Sequence, residues 1–343
     1  MLLSWQKDWH GHRRRVWMTC FQALRWYAPV ILLLVATRPV DAQPSAPRKT
    51  TQSPPACGDI AGFQVLLDRL GFSPGEIDGR PGQHLSGALA AFQESKAIAT
   101  TGKPDCDTWR ALGGDESTPF LTEYVVTAAD VKGPFIHVIP GDLPQQAKLP
   151  ALGYRSALEE LAERFHASPA FIQQLNRGAR IIERTRLRVP AVEPFSPETK
   201  PAADPEAGTI TIEISREPSV MRATRADGTL VFYAPVSSGS EHDPLPPGTW
   251  KVTGVSWRPP FNYNPDLFWD AKPSQTPATL KPGPNNPVGV VWIDVNIEHY
   301  GIHGTPEPSR VGRTESHGCV RLTNWDAARL AALVAPGSPV IFK

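Results

Sequence analysis

The chain has 343 residues, an apolar fraction of 41%, 37 prolines and a formal net charge of +1. This length predicts two or three domains with buried cores, and the prolines favour linkers and long loops over disorder throughout. Because phosphate binding needs a basic surface, the near-neutral charge argues against nucleic acid as a partner.

The first 42 residues have the pattern of an export signal. Basic residues at 13–15 precede the apolar run WYAPVILLLVA at 26–36, and the small residues of VDA follow. The run is short for a membrane span. We expect a cleaved signal peptide over 1–42. The alternative is an uncleaved N-terminal anchor, and only in that case is contact with a membrane expected. Either way the body is expected to be exported, to the periplasm or cell wall.

Export makes the cysteines informative, because extracytoplasmic compartments are oxidising. Cys20 lies in the signal, and Cys57 and Cys106 flank one compact module, so these two are the expected disulfide. On the chain-entropy account, closing a loop of about 50 residues stabilises a fold by roughly 3–4 kcal/mol. Cys319 is then a free thiol, which predicts a reactive group, with an inert buried thiol as the alternative.

After a flexible linker at 43–56, residues 57–114 predict three short helices. The inward positions of the first two are Phe63, Leu66, Leu67, Leu70, Leu85, Leu89 and Phe92, and the third begins near Asp105 or Asp107. The module resembles the peptidoglycan-binding three-helix domain at Gln64, Leu67, Gly71, Asp78, Gly79, Gly82, Ala91, Phe92, Gln93, Gly102, Thr108 and Trp109. The resemblance implies peptidoglycan as partner, with a helical spacer as the alternative. Asp78 and Gly79 predict a turn.

Residues 120–192 predict strands at EYVVTAADV, IHVIP and TRLRVPAV, with two short helices that meet at 167–169. The run LAERFHASPAFIQQLN followed by LRVP resembles the LysM module, a β-α-α-β unit that binds N-acetylglucosamine polymers. An insertion of roughly 25 residues separates the first strand from the helices. A working carbohydrate site and a structural remnant both stay open. His166 is predicted at the surface, at a helix end.

A second flexible linker is expected at 193–206, and the pattern then changes to β over 207–343. Strands are predicted at TITIEI, TLVFYAPVSSG, GTWKVTGVSW, GVVWIDVN and PVIFK, with one helix at TNWDAARLAALV that Thr323 and Asp326 cap. Residues 257–287 carry prolines and aromatics without periodicity. So long a loop in a compact domain predicts a lid over a site, or else a decorated surface loop.

The run HGTPEPSRVGRTESHGCVRL brings together the residues of a thiol nucleophile. A thiol needs a base near neutral pH, and His303, at a predicted strand end, is the candidate base for Cys319. The carbonyl of Gly304 is a candidate acceptor to orient the ring. Gly318 permits a tight turn, in which the N–H groups of His317, Gly318 and Cys319 face a developing oxyanion. A catalytic thiol is expected to have a pKa below its ordinary value of about 8.5.

The runs YGIHGT and SHGCVRLTNWDA, with NPVGVVWIDV upstream, resemble the YkuD-type L,D-transpeptidase catalytic domain over 207–343. The resemblance implies a mainly β sandwich with a cysteine-bearing cleft under a lid loop, and so a multidomain α+β chain. It implies that Cys319 is the nucleophile and His303 the base, which the Gly304 carbonyl orients. By the same resemblance, His317 and Gly318 form the oxyanion and positioning shell, Ser316 supports the turn, and Arg321 binds a substrate carboxylate or braces the loop.

The reaction that this resemblance implies is acyl transfer through a thioester, which forms 3→3 cross-links between peptidoglycan stem peptides without a cofactor. An L,D-carboxypeptidase or a protein-anchoring enzyme uses the same chemistry with another acceptor. Two further alternatives are a catalytically inactive wall-binding scaffold and a zinc site at His303, His317 and Cys319, for which no fourth ligand is evident.

Overall fold

A computed structural model describes residues 57–115, 117–314 and 316–343. The predicted signal peptide, the linker at 43–56 and Cys20 lie outside these residues. The described residues from 57 to 343 belong to one compact unit, which contains all three predicted segments. None of the helices in the described residues combines the length and the apolar character that a membrane span requires.

The N-terminal helical domain contains α1 (Ile60–Arg69), α2 (Gln83–Ser95) and α3 (Cys106–Ala111). Asp105 caps α3 by accepting a 2.8 Å hydrogen bond from the Thr108 N–H, which decides between the two predicted caps. The predicted inward residues are buried except Leu70, which is 46% exposed because α1 ends one residue before it. A disulfide joins Cys57 to Cys106, with Cα atoms 5.1 Å apart, as expected.

The next segment has the predicted β-α-α-β order with two extra helices in its insertion. Strands β1 (Leu121–Val125) and β2 (Arg186–Pro190) pair antiparallel, and four helices lie between them: α4 (Ala128–Lys132), α5 (Leu143–Gln146), α6 (Ala157–Arg164) and α7 (Pro169–Leu175). The strand predicted through 131 is wrong, since Thr127 caps α4 with a capping box. The strand predicted at IHVIP is also wrong, and prolines flank this irregular stretch.

His166 is buried rather than at the surface, and its prediction is wrong. Its Nδ1 lies 3.0 Å from Asp68 Oδ2 in the helical domain, and its ring stacks on Trp325 of the C-terminal domain with centroids 5.2 Å apart. Because three segments of the chain meet at this ring, a residue at a helix end becomes part of a core.

The described residues of the C-terminal domain form eleven strands and one α-helix: β3 (Ile210–Ser215), β4 (Val220–Arg225), β5 (Leu230–Pro235), β6 (Ser237–Ser238), β7 (Gly248–Trp257), β8 (Phe261–Tyr263), β9 (Ala278–Leu280), β10 (Val291–Val295), β11 (Gly301–His303), β12 (Val320–Arg321), α8 (Asn324–Leu333) and β13 (Pro339–Phe342). Thr323 caps α8, as predicted, by accepting a hydrogen bond from the Asp326 N–H. Strand β4 was not predicted, because Arg222 and Arg225 obscure its alternation.

Nine of these strands form one sheet in the order β5-β4-β3-β13-β7-β10-β11-β12-β6. Its two edge strands are separated in sequence by Val236 alone, so the sheet must curl nearly into a barrel instead of forming the two layers of the predicted sandwich. Most pairs are antiparallel, but β3 pairs with β13 and β11 with β12 in parallel. The buried side chains of the sheet and α8 form the largest core.

The helical domain covers the edge of strand β5. Tyr233 donates its N–H to the Gly71 carbonyl at 2.9 Å and accepts from the Ser73 N–H at 2.8 Å, and its ring lies in the core of the helical domain. Gly71 has φ +85°, and a Cβ there would lie 2.7 Å from the Val231 carbonyl oxygen. Since an open edge strand exposes unpaired N–H and C=O groups, this contact satisfies part of the edge.

The predicted linker at 193–206 is fixed along the surface by specific contacts. Phe195 is buried in the core of the C-terminal domain, and its N–H donates to the Arg164 carbonyl at 2.8 Å. Further along, the Asp204 N–H donates to the Ala332 carbonyl at the end of α8. The stretch therefore joins the middle segment to the C-terminal domain by contact as well as by chain connection.

Candidate active site

The parallel pairing of β11 and β12 brings the two candidate catalytic residues to one face of the sheet. His303 lies opposite Arg321 in the register, and Ile302 lies opposite Val320, which places Cys319 beside Gly301. Because side chains alternate along a strand, His303, Arg321 and Cys319 all project from the same face. The loop between the two motifs thus returns the cysteine to the histidine, as the sequence predicts.

A backbone carbonyl orients the His303 ring. The Nδ1 of His303 lies 2.6 Å from the Gly304 carbonyl oxygen, which can only accept, so Nδ1 carries the proton and Nε2 keeps its lone pair. Trp292, opposite His303 on β10, stacks on the ring with centroids 5.5 Å apart. Burial, and then the charge of Arg321, lower the pKa of His303 to about 3. The ring is therefore a neutral base at physiological pH.

The environment of Cys319 contradicts the expectation that its thiol has a lowered pKa. Burial raises the pKa of the Cys319 thiol above its ordinary value, although a backbone hydrogen bond from Gly301 and the charge of Arg321 act in the opposite direction. The thiol lies 3.6 Å from the His299 carbonyl oxygen. Both shifts favour a neutral thiol and a neutral imidazole over an ion pair. The sequence could not show this, because the shift comes from burial.

Two contacts shape the turn that leads to Cys319. Ser316 is buried, and its hydroxyl donates to the Cys319 carbonyl at 2.5 Å and accepts from the Gly239 N–H at 2.8 Å. Gly318 has φ +98°, a region that side chains rarely adopt, and a Cβ there would lie 2.9 Å from the ring of Tyr300. Ser316 and Gly318 thus shape the backbone that leads to Cys319, and their roles in positioning the nucleophile stay predictions.

The His317 side chain contacts the loop predicted as a lid. Its Nε2 lies 2.9 Å from Asp270 Oδ1, and the rings of Phe268 and Trp269 lie 4.9 and 5.7 Å from its own. Its Nδ1 is buried and has no hydrogen-bond partner among the residues that the structure describes. The lid residues therefore reach the motif that carries Cys319.

Arg321 lines a small polar cavity of about 90 Å³ on the same side of the sheet, together with Ser237, Thr305, Glu307, Arg310, Val311 and Thr314. Burial lowers the pKa of Arg321, and the charge of Arg310 lowers it further, whereas Cys319 and Glu307 raise it. This position fits both predicted roles, a carboxylate-binding group and a brace for the loop.

Two residues that the sequence did not indicate lie behind the His303 strand. Asn324, at the start of α8, accepts a 3.1 Å hydrogen bond from the Val290 N–H and donates one of 2.9 Å to Glu163 in the middle segment. A Cβ on Gly304 would lie 2.1 Å from Asn324 Oδ1, so this amide packs directly on the residue that orients His303. Neither residue carries a local sequence signal for this role, although Asn324 begins α8 only three residues after β12 ends.

The loop between the motifs also contacts the helical domain. Gly312 has φ +71° and lies so close to His84 that a Cβ would come within 2.5 Å of its Nε2. Burial, and then the charge of Asp78, raise the pKa of the nearby Glu76 to about 7, while Arg313 of the loop lowers it. The helical domain is therefore in contact with the segment that joins His303 to Cys319.

No group of three or more His, Cys, Asp or Glu side chains in the described ranges is arranged to hold a metal ion. Of the zinc ligands considered above, His303 is directed to a backbone carbonyl and His317 to Asp270.

Comparison with known proteins identifies two regions of the chain. Residues 209–342 match the family described as "L,D-transpeptidase catalytic domain", and residues 58–112 match "Putative peptidoglycan binding domain". Both regions lie within the predicted domains. The middle segment between them is outside both matches, so its likeness to LysM stays a prediction.

Among curated proteins, the chain is similar to "Putative L,D-transpeptidase YkuD" of Bacillus licheniformis, with 43% identity over 60 residues, which cover 18% of this chain and 36% of the relative. It is also similar to "Probable L,D-transpeptidase YbiS" of Escherichia coli, with 35% identity over 92 residues, 27% of this chain and 29% of the relative. The chain thus spans about a third of the length of the curated relatives it matches.

Among solved structures, an L,D-transpeptidase from Mycobacterium smegmatis aligns with 18% identity and a TM-score of 0.33, over 48% of this chain and 76% of that one. An Enterococcus faecium L,D-transpeptidase C442S mutant aligns with 19% identity and a TM-score of 0.31, over 39% and 50%.

Proposed function

We propose that the protein is an exported L,D-transpeptidase that acts on peptidoglycan and forms 3→3 cross-links between stem peptides. The observation that carries this proposal is the placement of Cys319 and His303 on one face of adjacent strands, with Gly304 holding the ring so that Nε2 is the free base. The family match over 209–342 supports the same reaction class.

The first step starts from the neutral thiol of Cys319 and the neutral imidazole of His303. As the Cys319 sulfur attacks the carbonyl carbon of the third stem residue, diaminopimelate, its proton moves to His303 Nε2. Because burial disfavours both the free thiolate and the imidazolium, proton transfer accompanies attack instead of preceding it. The carbonyl oxygen becomes an oxyanion, which the N–H groups of the turn at Gly318 and Cys319 hold.

In the second step the amide C–N bond to the terminal D-alanine breaks. The imidazolium of His303 returns its proton to the leaving amine, and a thioester remains on Cys319. An amine of a neighbouring stem then attacks the thioester carbonyl while His303 takes up its proton, and the thiolate leaves and is reprotonated. The product is an amide cross-link, and the enzyme returns to its starting state. Arg321, on the same face, binds a donor carboxylate or braces the loop.

The helical domain supplies the second part of the proposal. Residues 58–112 match a peptidoglycan-binding family, and we propose that this domain holds the enzyme on the polymer whose stems it joins. Retention of the full chain on purified sacculi, compared with an unrelated protein of similar charge, measures this binding.

Intact-mass spectrometry after incubation with a soluble disaccharide-tetrapeptide tests the reaction. We expect an adduct of the tetrapeptide fragment minus D-alanine on the wild type and none on Cys319→Ala. His303→Ala should reduce adduct formation severely while leaving the fold intact. An uncleaved tetrapeptide and an unmodified wild-type protein would refute the proposal. Adding a second stem peptide then identifies the acceptor, since release as free tripeptide indicates that water is used and a dimer indicates an amine.

A further inference from the structure

The insertion in the middle segment and the lid loop of the C-terminal domain are packed together as one body, here called the cap (residues 133–155 and 257–285). Leu152, Tyr263 and Leu280 form its buried centre. Partly buried residues from both parts surround them: Ile139, Leu143, Ala147 and Leu149 from the insertion, and Phe261, Phe268 and Ala278 from the lid. The insertion, which is the part of the middle segment that departs from the LysM pattern, therefore provides the surface on which the lid packs.

Polar contacts fix the two halves of the cap in one arrangement. Gln275 accepts a 2.8 Å hydrogen bond from the Tyr263 hydroxyl and donates one of 2.9 Å to Asp142 in the insertion. At the base, Asn285 donates its side-chain amide to the Gly153 carbonyl at 2.9 Å. Gly283 allows close approach there, since a Cβ would lie 2.2 Å from the Leu152 carbonyl oxygen.

The tip of the cap contacts the catalytic motif. Asp270 accepts from His317 Nε2 at 2.9 Å, and Trp269 stacks on His242 with ring centroids 4.2 Å apart, so the tip is held on both sides. His317 precedes the candidate nucleophile by two residues, and the intervening Gly318 has no side chain to fix the turn itself. The cap thus supplies the side-chain contacts that hold the His317 ring.

We propose that Asp270 is a positioning residue for the reaction, and that the insertion at 133–155 serves to hold it against His317. This inference rests on the proposed function, because it concerns the alignment of Cys319 with a donor. Asp270 does not touch the reacting atoms. It acts through the His317 ring on the turn that carries the sulfur and the oxyanion donors. A displacement of about 1 Å at such a turn can cost on the order of 100-fold in rate.

The proposal predicts a split between kcat and KM. In the full chain, Asp270→Ala should lower kcat for tetrapeptide acylation by about 10- to 100-fold with KM changed by less than about threefold, since the donor's other contacts stay intact. Asp270→Asn should recover most of this loss, because its amide oxygen can still accept from His317. Asp142→Ala, remote in sequence from the motif, should show the same signature with a smaller loss.

Glu298→Ala is the matched control, because Glu298 is an exposed carboxylate that lies 3.3 Å from another histidine, His299, close to the same thiol. It should retain the wild-type kcat. Thermal melting of each variant confirms that the fold is kept. Equal kcat for Asp270→Ala and the wild type would overturn the inference, whereas a wild type without an adduct would overturn the proposed function instead.

A second measurement tests the inference even without turnover. In protein labelled with ¹⁵N-histidine, the side-chain signals of His317 should shift in Asp270→Ala and in Asp142→Ala, and stay in place in Glu298→Ala. Unchanged His317 signals in the first two variants would show that the cap does not hold the ring, and would overturn the proposal whatever the donor assay gives.

Discussion

Glu163 is the buried carboxyl that accepts a hydrogen bond from Asn324, behind the candidate base His303. Its replacement by glutamine should stabilise the protein at neutral pH but much less in acid. Burial is the largest of several effects that raise the pKa of Glu163 from 4.5 to about 8, and the nearby Glu159 and Glu76 also raise it, while hydrogen bonds from Asn324 and Tyr154 lower it. The folded protein therefore keeps a proton there at neutral pH. Glutamine has the same shape, stays neutral, and still offers an oxygen to Asn324.

The magnitude follows from proton linkage. A raised carboxyl pKa means that the folded state binds more protons than the unfolded state between pH 4.5 and about 8. The Glu163 contribution to stability is thus complete below pH 4.5 and is lost as pH rises through this window, at about 1.36 kcal/mol per unit. Between pH 5 and pH 7 the loss amounts to about 2.5 kcal/mol, which Glu163→Gln avoids.

Unfolding of wild type and Glu163→Gln at pH 5 and pH 7, by calorimetry and by urea, measures this difference. The stability of the variant relative to wild type should rise by about 2.5 kcal/mol between the two pH values, equivalent to roughly 5 °C or more in melting temperature. Glu183→Gln, an exposed carboxyl in the same segment, is the control and should show no such change. The same relative stability at both pH values would refute the argument that Glu163 is protonated in the folded state.

Three further perturbations follow from the contacts described above. Gly318→Ala should lower the tetrapeptide cleavage rate by roughly 100-fold because the turn must move, and a rate near wild type would contradict this reading of its backbone. Cys106→Ser, which removes the bond to Cys57, should lower the free energy of unfolding by about 2–5 kcal/mol in urea, and a loss below 1 kcal/mol would contradict it. Asp68→Asn removes the carboxylate that contacts the buried His166, and it should lower the free energy of unfolding by about 3–5 kcal/mol in the same urea titration. An unchanged midpoint would show that the contact adds nothing to stability.

The sequence was most informative where the candidate catalytic residues lie near each other in the chain. His303, Gly304, Ser316 and Cys319 belong to two short motifs, and strand β10, which precedes the first motif, shows a clear hydrophobic pattern. The loop between the two motifs then brings strands β11 and β12 together as a pair. For the same reason the caps at Asp105 and Thr323 were predictable, since a cap depends on residues three positions apart.

The sequence was least informative where distant elements meet. Asp270, Asn324 and Glu163 reach the site from a lid, a helix start and a different segment of the chain, and none carries a local signal for that role. The predicted direction of the Cys319 pKa shift was wrong for the same reason, because burial depends on packing that a sequence pattern does not report. His166 was misplaced because its neighbours come from three segments.

The helical domain packs against both β5 and the loop between the two candidate catalytic motifs, which has a consequence for the proposed action on peptidoglycan. A binding domain on a flexible tether lets a catalytic domain sweep a volume and sample many stems around one anchor point. Here the distance and direction from the anchoring domain to Cys319 are set by contact, through Gly71, Tyr233 and Gly312. On the proposed function, the site at which the helical domain binds peptidoglycan would therefore determine which stem peptide Cys319 can reach.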